Sequence, residues 1–312
     1  MSVSTDSDKN SNKLGSIMEK LTIVIPTLNE QEGIGKTIDE LLELGINKNQ
    51  IIVIDGYSTD KTVEIAKSKG VKVIFQEGKG KADAIITAIK RVNTDYMLVM
   101  DGDYTYDPSK IPKMLSLMDG YAEVIGARVE GRENIPIINR FGNKILTWLF
   151  NTIFGTSLRD VLSGMYMVKT ELIKGILGKT RGFSIEAEIA AHMSLEGDIT
   201  DIPIRYRKRL GKAKLTILDG IKIGLSMIKL SWTYNPLLFI FTLGAITLIP
   251  GIALGLYIVY DYIFNSVLHR TLTIITVLLI ITGLISAFFA ILILFLKRME
   301  LRIIRKIEHT GK

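Results

Sequence analysis

The sequence contains no cysteine among its 312 residues. Disulfides, thiolate metal sites and cysteine nucleophiles are therefore excluded. Histidine is almost as scarce, because only His192, His269 and His309 occur and they are scattered along the chain. Their separation offers no metal-binding spacing, and His192 lies in a helical pattern that favours packing over catalysis. Metal chemistry based on histidine or cysteine is not expected.

Two long segments, residues 236–260 and 271–296, lack charge altogether. Each is long enough to cross the hydrocarbon core of a bilayer as a helix. Two buried helices of a globular core are the alternative, but soluble helices rarely lack a polar stripe over such a length. The mean hydropathy of +0.29 is high for a soluble protein. Together with the short neutral stretch at 261–270, these segments predict a transmembrane hairpin.

The N-terminal residues lack the apolar run of a cleavable signal peptide. Residues 1–20 are polar and rich in Ser, Asp, Asn and Lys, which predicts a disordered tail. The net charge of +7 is concentrated at 205–229 and 297–312, on both sides of the hairpin. By the positive-inside rule, both ends of the hairpin then face the cytoplasm. Their position beside membrane segments favours anionic lipid or a phosphate-bearing lipid over nucleic acid.

Short apolar runs alternate with helical patterns from residue 21 onwards. Strands are predicted at 21–25, 50–55, 71–75 and 96–100, with a later one at 123–127, and helices at 33–44, 60–68 and 82–92. Pro26 is expected to end the first strand, because proline cannot donate to a sheet. This alternation predicts an α/β protein with a mostly parallel sheet covered by helices.

Two amphipathic helices are predicted after this region. The first, at 137–154, has two sides: Ile137, Phe141, Ile145 and Leu149 on one, and Arg140, Lys144, Thr147 and Asn151 on the other. Its pattern is compatible both with covering a core and with lying in a lipid interface. The second, at 216–233, has a narrow polar stripe and runs directly into the first apolar segment, which favours the lipid interface.

Carboxylates follow the predicted strands. The run at 96–100 ends in Asp101 and Asp103, Asp55 ends another strand, and Glu30 follows the first. The carboxyl ends of parallel strands meet at one crevice. A nucleotide and a divalent cation there would explain acids that otherwise repel one another. For the Asp pair alone, a solvated Asp-Gly turn is the plainer alternative.

A glycine-rich turn precedes the third predicted helix. Gly78-Lys-Gly-Lys81 combines backbone freedom with positive charge, which suits a phosphate. It is not a Walker pattern, and an exposed turn explains Lys79 equally well. Lys81 is therefore a candidate substrate-binding residue.

The order of these motifs resembles the inverting family 2 glycosyltransferases with a GT-A fold. The motifs are Val24-Ile-Pro-Thr-Leu-Asn-Glu30, Val53-Ile-Asp-Gly-Tyr-Ser-Thr-Asp60, Gly78-Lys-Gly-Lys-Ala82 and Met100-Asp-Gly-Asp103. Three later segments are similar to the polyprenyl-phosphate glycosyltransferases of the dolichol-phosphate mannose synthase type: Asp160-Val-Leu-Ser-Gly164, Gly182-Phe-Ser-Ile-Glu-Ala-Glu188, and Ile202 to Leu215. The resemblance covers residues 21 to about 215.

The resemblance implies a Rossmann-like GT-A sheet flanked by helices. The expected organisation is a tail at 1–20, a catalytic domain at 21–215 that includes the 137–154 helix, an interfacial helix at 216–234, a transmembrane hairpin at 235–297 and a basic cytoplasmic tail at 298–312. The protein would be an integral membrane protein whose catalytic domain and both termini lie on the cytoplasmic side.

The resemblance also implies how the donor is bound. The nucleotide pocket would be lined by Pro26, Glu30 and Asp55. Asp101 and Asp103 would form a DxD site for Mg²⁺ or Mn²⁺, with Asp103 the stronger ligand and Thr105 at a position that is often a polar ligand. Arg128 would approach the diphosphate, and Asp160 and Glu188 would lie near the sugar.

On the acceptor side, the resemblance implies that Arg140 meets the acceptor phosphate. Arg209 and Lys214 would close over phosphates from the basic segment, with Arg207 or Lys212 as alternatives to Arg209. The sequence departs from the family pattern in two places. Ala213 replaces a hydroxyl residue, and Tyr166 follows Ser163-Gly-Met in place of an arginine. The Gln-x-x-Arg-Trp motif of processive synthases is missing, which argues against a polymerase.

The implied reaction is an inverting, metal-dependent transfer of a hexose from a nucleoside-diphosphate sugar to polyprenyl or dolichyl phosphate. GDP-mannose, UDP-glucose and UDP-N-acetylglucosamine remain open as donors. Because a phosphate acceptor is already ionised, Asp160 is only a weak candidate for a general base. One alternative acceptor is a lipid-linked oligosaccharide or another lipid hydroxyl. Another alternative is a non-catalytic membrane subunit with an inert GT-A domain. The expected partners are membrane lipid and not nucleic acid, and a homo-oligomer is compatible with the sequence.

Overall fold

A computed structural model of the protein describes residues 17–177, 185–211 and 236–310. The chain divides into two compact units, Met1–Met227 and Ile228–Lys312, and each is described by itself. Lys214, Lys212, the helix predicted at 216–233 and most of the predicted N-terminal tail lie outside the described residues.

The first unit is built on a seven-stranded sheet. The strands are β1 (Leu21–Thr27), β2 (Ile51–Asp55), β3 (Lys72–Phe75), β4 (Tyr96–Val99), β5 (Glu123–Glu130), β6 (Tyr166–Lys169) and β7 (Ile199–Arg205). Their order across the sheet is β3-β2-β1-β4-β6-β5-β7. Only β6 runs against its neighbours, β4 and β5, and the remaining pairs are parallel. The prediction of a mostly parallel sheet is confirmed.

Helices connect and cover these strands. They are α1 (Ile34–Glu43), α2 (Thr62–Ser68), α3 (Lys81–Arg91), α4 (Ile111–Leu117), α5 (Ile137–Phe154), α6 (Thr170–Ile173) and α7 (Ile185–Glu196). Short 3₁₀ turns lie at Lys48–Gln50, Pro108–Lys110, Arg132–Asn134 and Lys174–Ile176. The first strands and helices follow the βα alternation predicted from the sequence, so the carboxyl ends of β1, β2 and β4 share one edge.

Pro26 does not end β1, in contrast to the prediction. The strand continues to Thr27, and Pro26 lies opposite Ile54 of β2. The Val24 carbonyl accepts a hydrogen bond from the Met100 amide on the β4 side. Pro26, two residues later, faces the same side, where β4 has already ended. No partner strand there needs the missing N–H, so proline is tolerated.

The hydrophobic core lies between the sheet and helices α1 and α4. β1 is buried along its whole length, as expected for a central strand with both faces covered. Ile23 and Ile25 of this strand pack in one cluster with Ile38 of α1 and Met114 of α4. This packing holds the carboxyl edge of the sheet in place.

Helix α5 turns its apolar side outwards. Ile137, Phe141 and Trp148 are 74%, 67% and 65% exposed, and Ile138 and Ile145 are exposed with them. The side that packs inwards carries Thr147, Phe150 and Ile153, which are buried, and the Asn151 amide donates to the Leu158 carbonyl (2.8 Å). The sequence left two roles open for this apolar side, namely covering the core and lying in a lipid interface. The exposure of these residues shows that the apolar side does not cover the core.

One carboxyl group is buried in the sheet and forms no ion pair within the part of the chain that the structure describes. Glu123 begins β5 and is 1% exposed, and its Oε2 has no hydrogen-bond partner among the residues that the structure describes. Burial raises the pKa of Glu123 to about 8. The folded protein therefore keeps a proton that the unfolded chain, with a carboxyl pKa of about 4.3, releases at neutral pH.

We expect Glu123→Gln to stabilise the protein more at pH 8 than at pH 5. Between the two pKa values only the folded state binds the proton, so this carboxyl removes about 1.4 kcal/mol of stability per pH unit as the pH rises. Melting temperatures of both proteins from pH 5 to 9 test this. The exposed Glu133, replaced in the same way, is the matched control. Parallel pH profiles for wild type and Glu123→Gln would contradict the assignment.

The second unit consists of two long helices, α8 (Pro236–Asn265) and α9 (Arg270–Thr310). Ile240–Asn265 and Arg270–Ile293 are long and apolar enough to cross a membrane. The helices are antiparallel: a Cβ added at Gly244 would lie 3.0 Å from Ser286, and one at Gly251 would lie 3.0 Å from Ile280. Such small residues allow two helices to approach closely.

The turn between these helices is shorter than predicted. It comprises residues 266–269, because α8 continues past Asp261 to Asn265. Asp261 accepts hydrogen bonds from the Asn265 amide (2.6 Å) and pairs with His269 (2.5 Å). Because Asp261 finds these polar partners within the hairpin, the helix can continue past it.

Candidate active site

The two carboxylates that follow β4 lie where α1 begins. β4 ends at Val99, and Asp101 and Asp103 come directly after it. A Cβ added at Gly33, just before α1, would lie 2.7 Å from the backbone of Asp103. Only glycine allows this close approach, so Gly33 fixes the Asp103 backbone against the start of α1.

Asp103 is 3% exposed and its carboxylate is held from two sides. The Thr105 hydroxyl donates to Oδ1 (2.5 Å), and Arg209 Nη1 lies 3.2 Å from Oδ2. Burial and the neighbouring charge of Asp101 raise the pKa of Asp103. This repulsion is what a cation bound between the two carboxylates would relieve.

Asp101 pairs with Lys81, the first residue of α3. Lys81 Nζ lies 2.6 Å from Asp101 Oδ1 and 2.7 Å from Glu186 Oε1 of α7. Burial lowers the pKa of Lys81, but Asp101 and Glu186 outweigh that effect and raise it well above its usual value. The three side chains therefore form one charged cluster with two acids and one base.

The acids predicted for the nucleotide pocket have different surroundings. Asp55, fully buried, accepts hydrogen bonds from the Thr27 hydroxyl (3.1 Å) and from the Ser58 amide and hydroxyl (2.8 and 2.6 Å). Glu30 pairs with Arg209 (2.5 Å). A cleft of about 310 Å³ opens beside Glu30, lined by Asn29, Glu30, Gln31, Glu32, Asp60, Leu210 and Gly211. Pro26 lies inside β1 and does not line this cleft.

The basic segment after β7 lies across the site. The Arg207 amide donates to the Thr105 carbonyl (2.7 Å), and the Leu210 amide to the Asp103 carbonyl (3.3 Å). Arg207 itself turns away and pairs with Glu40 of α1 (2.7 Å). The two arginines that the sequence could not tell apart therefore differ, since only Arg209 reaches Asp103.

Arg128 and Asp160 bind each other. Arg128 Nε and Nη2 donate to the two carboxylate oxygens of Asp160 at 2.5 and 2.8 Å, and both side chains are nearly buried. Burial lowers the pKa of Arg128, but the neighbouring Tyr106, Asp160 and Tyr206 together outweigh that effect and raise it well above its usual value. This fork occupies both oxygens of the carboxylate that the sequence offered as a weak candidate base.

The remaining predicted residues lie on the two helices α5 and α7. Glu188 is buried in α7. Arg140 lies near the start of α5, and its Nε is buried without a hydrogen-bond partner in the described part of the chain. The Nε of Arg209 is in the same state. Two arginines with unused donors are suited to binding an anion.

Sequence reasoning missed Glu186, although it lies in a motif already singled out. Glu186 and Glu188 are two residues apart on one helix, so they face different directions. Glu186 reaches Lys81, whereas Glu188 faces the interior. The motif identified the helix, but only the packing of α7 selects the acid.

The donor set at the strand ends suits a hard divalent cation. Among the described residues, no three His, Asp or Glu side chains form a ready-made metal cluster. Asp101 and Asp103 nevertheless each direct a carboxylate oxygen at a cation, Lys81 or Arg209. Carboxylate oxygens are the ligands preferred by Mg²⁺ and accepted by Mn²⁺. The residues therefore fit such an ion.

The carboxyl edge of this α/β sheet carries acids and arginines, which are side chains suited to binding a divalent cation and phosphate groups. The sequence profile of glycosyl transferase family 2 matches residues 22–174. Glycosyltransferase AglJ of Haloferax volcanii is 32% identical over 301 residues, which cover 93% of this chain and 99% of that protein. The chain belongs to glycosyl transferase family 2.

Two further comparisons agree with this assignment. A dolichyl-phosphate hexose transferase of Haloferax volcanii is 33% identical over 215 residues, covering 68% of this chain and 93% of that protein. Glucosyl-3-phosphoglycerate synthase from Mycobacterium tuberculosis, solved with Mn²⁺, UDP-glucose and phosphoglyceric acid, has a TM-score of 0.55 at 21% identity. It covers 71% of this chain and 83% of the solved chain, and the likeness shows that the catalytic fold is GT-A.

Proposed function

We propose that this protein transfers a hexose, with inversion, from a nucleoside-diphosphate sugar to the phosphate of a polyprenyl lipid such as dolichyl phosphate. The observation that carries the proposal is that two carboxylates, Asp101 and Asp103, follow β4 at the carboxyl edge of the sheet, and that the incompletely hydrogen-bonded Arg209 lies 3.2 Å from Asp103. The named activity of the 33% identical hexose transferase supports the acceptor class. A dolichol-phosphate mannosyltransferase of Pyrococcus furiosus, 30% identical over 211 residues, supports it as well.

In this proposal Asp101 and Asp103 hold Mg²⁺ or Mn²⁺, with Thr105 beside them. The ion would supply positive charge to the diphosphate leaving group. The neighbouring solved structures that contain Mn²⁺ and UDP-glucose support a divalent ion in this fold. Arg209 would add a charged donor on the same side as Asp103, and Glu30, which lines the cleft, would lie at its nucleoside end. Asp55 is buried and would act there through the Thr27 and Ser58 side chains that it holds.

The acceptor is inferred from what Asp160 does. An alcohol acceptor needs a base to remove its proton, whereas a phosphate is already ionised at neutral pH. Asp160 is the candidate base, and both of its oxygens accept hydrogen bonds from Arg128. Arg140, with its unused Nε, is a suitable partner for a phosphate. Charge matching and proximity then account for the reaction better than base catalysis.

The exposed side of α5 supports an acceptor that lies in a membrane. Its five apolar side chains cover one face of the helix that also carries Arg140. An amphipathic helix of this kind buries its apolar face at the boundary between headgroups and acyl chains. With α8 and α9 as transmembrane helices and both basic flanks cytoplasmic, the catalytic unit would work on the cytoplasmic surface.

We expect the double substitution Phe141→Asp/Trp148→Asp to raise the KM for a long-chain polyprenyl phosphate in liposomes by about tenfold, because apolar burial of α5 is lost. Transfer to a short, water-soluble isoprenyl phosphate should stay unchanged. Leu195→Asp changes an apolar residue on α7 that is also more than half exposed, and it is the matched control. Equal losses with both acceptors would contradict an interfacial role for α5.

The proposed reaction is tested with membranes that contain the full chain. They are incubated with Mg²⁺ or Mn²⁺, dolichyl or undecaprenyl phosphate, and labelled GDP-mannose, UDP-glucose or UDP-N-acetylglucosamine in turn. Label that moves into the organic phase and is released by mild acid identifies a polyprenyl-phosphate sugar. Transfer only to a lipid-linked oligosaccharide or a lipid alcohol would favour the hydroxyl-acceptor alternative. No transfer from any nucleotide sugar would favour a non-catalytic subunit.

A further inference from the structure

Lys81 occupies a position that is electrostatically unfavourable for a lysine. It is the first residue of α3, where the helix dipole favours anions over cations. It is nevertheless held there by two acids from separate parts of the chain, Asp101 at 2.6 Å and Glu186 at 2.7 Å. One carboxylate would be enough to neutralise the ammonium group of Lys81, so the second carboxylate is in excess.

The two oxygens of Asp101 differ in their surroundings. Oδ2 packs against Gly164, where an added Cβ would lie only 2.2 Å away. Oδ1 is the oxygen that Lys81 holds. A metal ion that binds Asp101 through Oδ1 therefore competes with the lysine for that oxygen.

We propose that Lys81 is an internal counter-cation, which holds Asp101 in the metal-free protein and moves to Glu186 alone when the divalent ion binds. Glu186 is then a positioning residue that controls how readily the ion enters. This inference rests on the proposed metal-dependent function.

Glu186 leaves Lys81 with an acidic partner when a metal ion takes Asp101. A folded protein is destabilised when a buried ammonium group loses its only acidic partner. Because Glu186 is 2.7 Å from Nζ before the exchange, Lys81 keeps a partner after Asp101 is taken. Arg209 has the same arrangement, since it lies 3.2 Å from Asp103 and 2.5 Å from Glu30. Each of the two aspartates thus shares its cation with a carboxylate outside the pair.

Calorimetric titration of Mn²⁺ into the full chain in detergent measures this directly, without turnover. Glu186→Gln should weaken Mn²⁺ binding by about tenfold, because Lys81 then depends on Asp101 alone and competes harder for it. Lys81→Met should tighten binding by a similar factor. In the Lys81→Met background, Glu186→Gln should change the affinity by less than about twofold, because no lysine remains to be held.

Controls separate the proposal from a general charge effect. Lys90→Met removes a lysine and an ion pair from the other end of α3, and it should leave Mn²⁺ affinity unchanged. Equal weakening by Glu186→Gln in both backgrounds, or no weakening in the wild type, would overturn the role of Glu186. If Glu186→Gln does not fold, Lys81→Met decides alone, and the absence of tighter binding overturns the proposal.

The same titration tells the two levels of inference apart. Asp103→Ala should abolish Mn²⁺ binding whether or not Glu186 matters. Loss of binding in that variant with no effect of Glu186→Gln or Lys81→Met leaves the proposed function standing and overturns the counter-cation. A wild-type protein that binds no Mn²⁺, with or without UDP or GDP, overturns the proposed metal dependence and the counter-cation together.

Discussion

Asp103→Ala should reduce sugar transfer by roughly a thousandfold or more while the protein stays folded. Asp103 is the more deeply buried of the two carboxylates, and the Thr105 hydroxyl and Arg209 hold it in one orientation. Its removal would take away the proposed metal ligand and leave Arg209 with Glu30 alone. Initial rates with labelled nucleotide sugar in Mg²⁺ and Mn²⁺ measure the effect.

Asp119→Ala is the matched control for this experiment, because it removes an exposed acid from the same region of the chain. It should retain wild-type rates. Normal turnover by Asp103→Ala in the presence of either ion would contradict the metal assignment. The melting temperature of each variant shows whether a loss of rate reflects unfolding.

Arg128→Met should lower the melting temperature by roughly 10 °C, the equivalent of about 3–5 kcal/mol of lost stability. The substitution leaves the Asp160 carboxylate nearly buried without its guanidinium partner. Activity should fall as well if Arg128 approaches the diphosphate. Thermal unfolding in detergent, followed by intrinsic fluorescence, measures the loss of stability separately from the loss of activity.

The double variant Arg128→Met/Asp160→Leu should recover most of the lost stability, because replacing both ions of a buried pair is far less costly than removing one. It should not recover activity. Lys20→Met, which breaks an ion pair with both side chains more than half exposed, should change the melting temperature little. A single variant Arg128→Met as stable as wild type would contradict the energetic role of this pair.

Local patterns were sufficient for much of the fold. The alternation of buried runs with helical spacing predicted β1 to β4 and α1 to α3, since each of these elements follows from its own residues. Helix α5 was predicted with the bounds that the structure shows. Strands β6 and β7 were harder to predict. β6 is only four residues long and runs antiparallel, and β7 contains Pro203 and alternates in burial.

The candidate site was predictable as a set of residue types and not as a set of contacts. Strand ends place Asp55, Asp101 and Asp103 at one edge of the sheet, which follows from parallel topology alone. The sequence could not show that Asp55 is satisfied by Thr27 and Ser58. The hydrogen bond from Thr27 joins the ends of β1 and β2, which are 28 residues apart in the sequence, and the bonds from Ser58 depend on the conformation of the turn directly after β2.

The sequence by itself determined the α/β alternation, the acids at the strand ends, the two uncharged segments and membership of family 2. All of these depend on the order and spacing of neighbouring residues. Tertiary structure alone decided which of two neighbouring side chains of the same charge contacts Asp103 or Lys81. Arg209 reaches Asp103 whereas Arg207 pairs with Glu40, and Glu186 holds Lys81 whereas Glu188 faces inwards. Glu186 and Glu188 are two residues apart on a helix and so point to different sides, whereas the different contacts of Arg207 and Arg209 depend on how the segment after β7 packs against the rest of the domain.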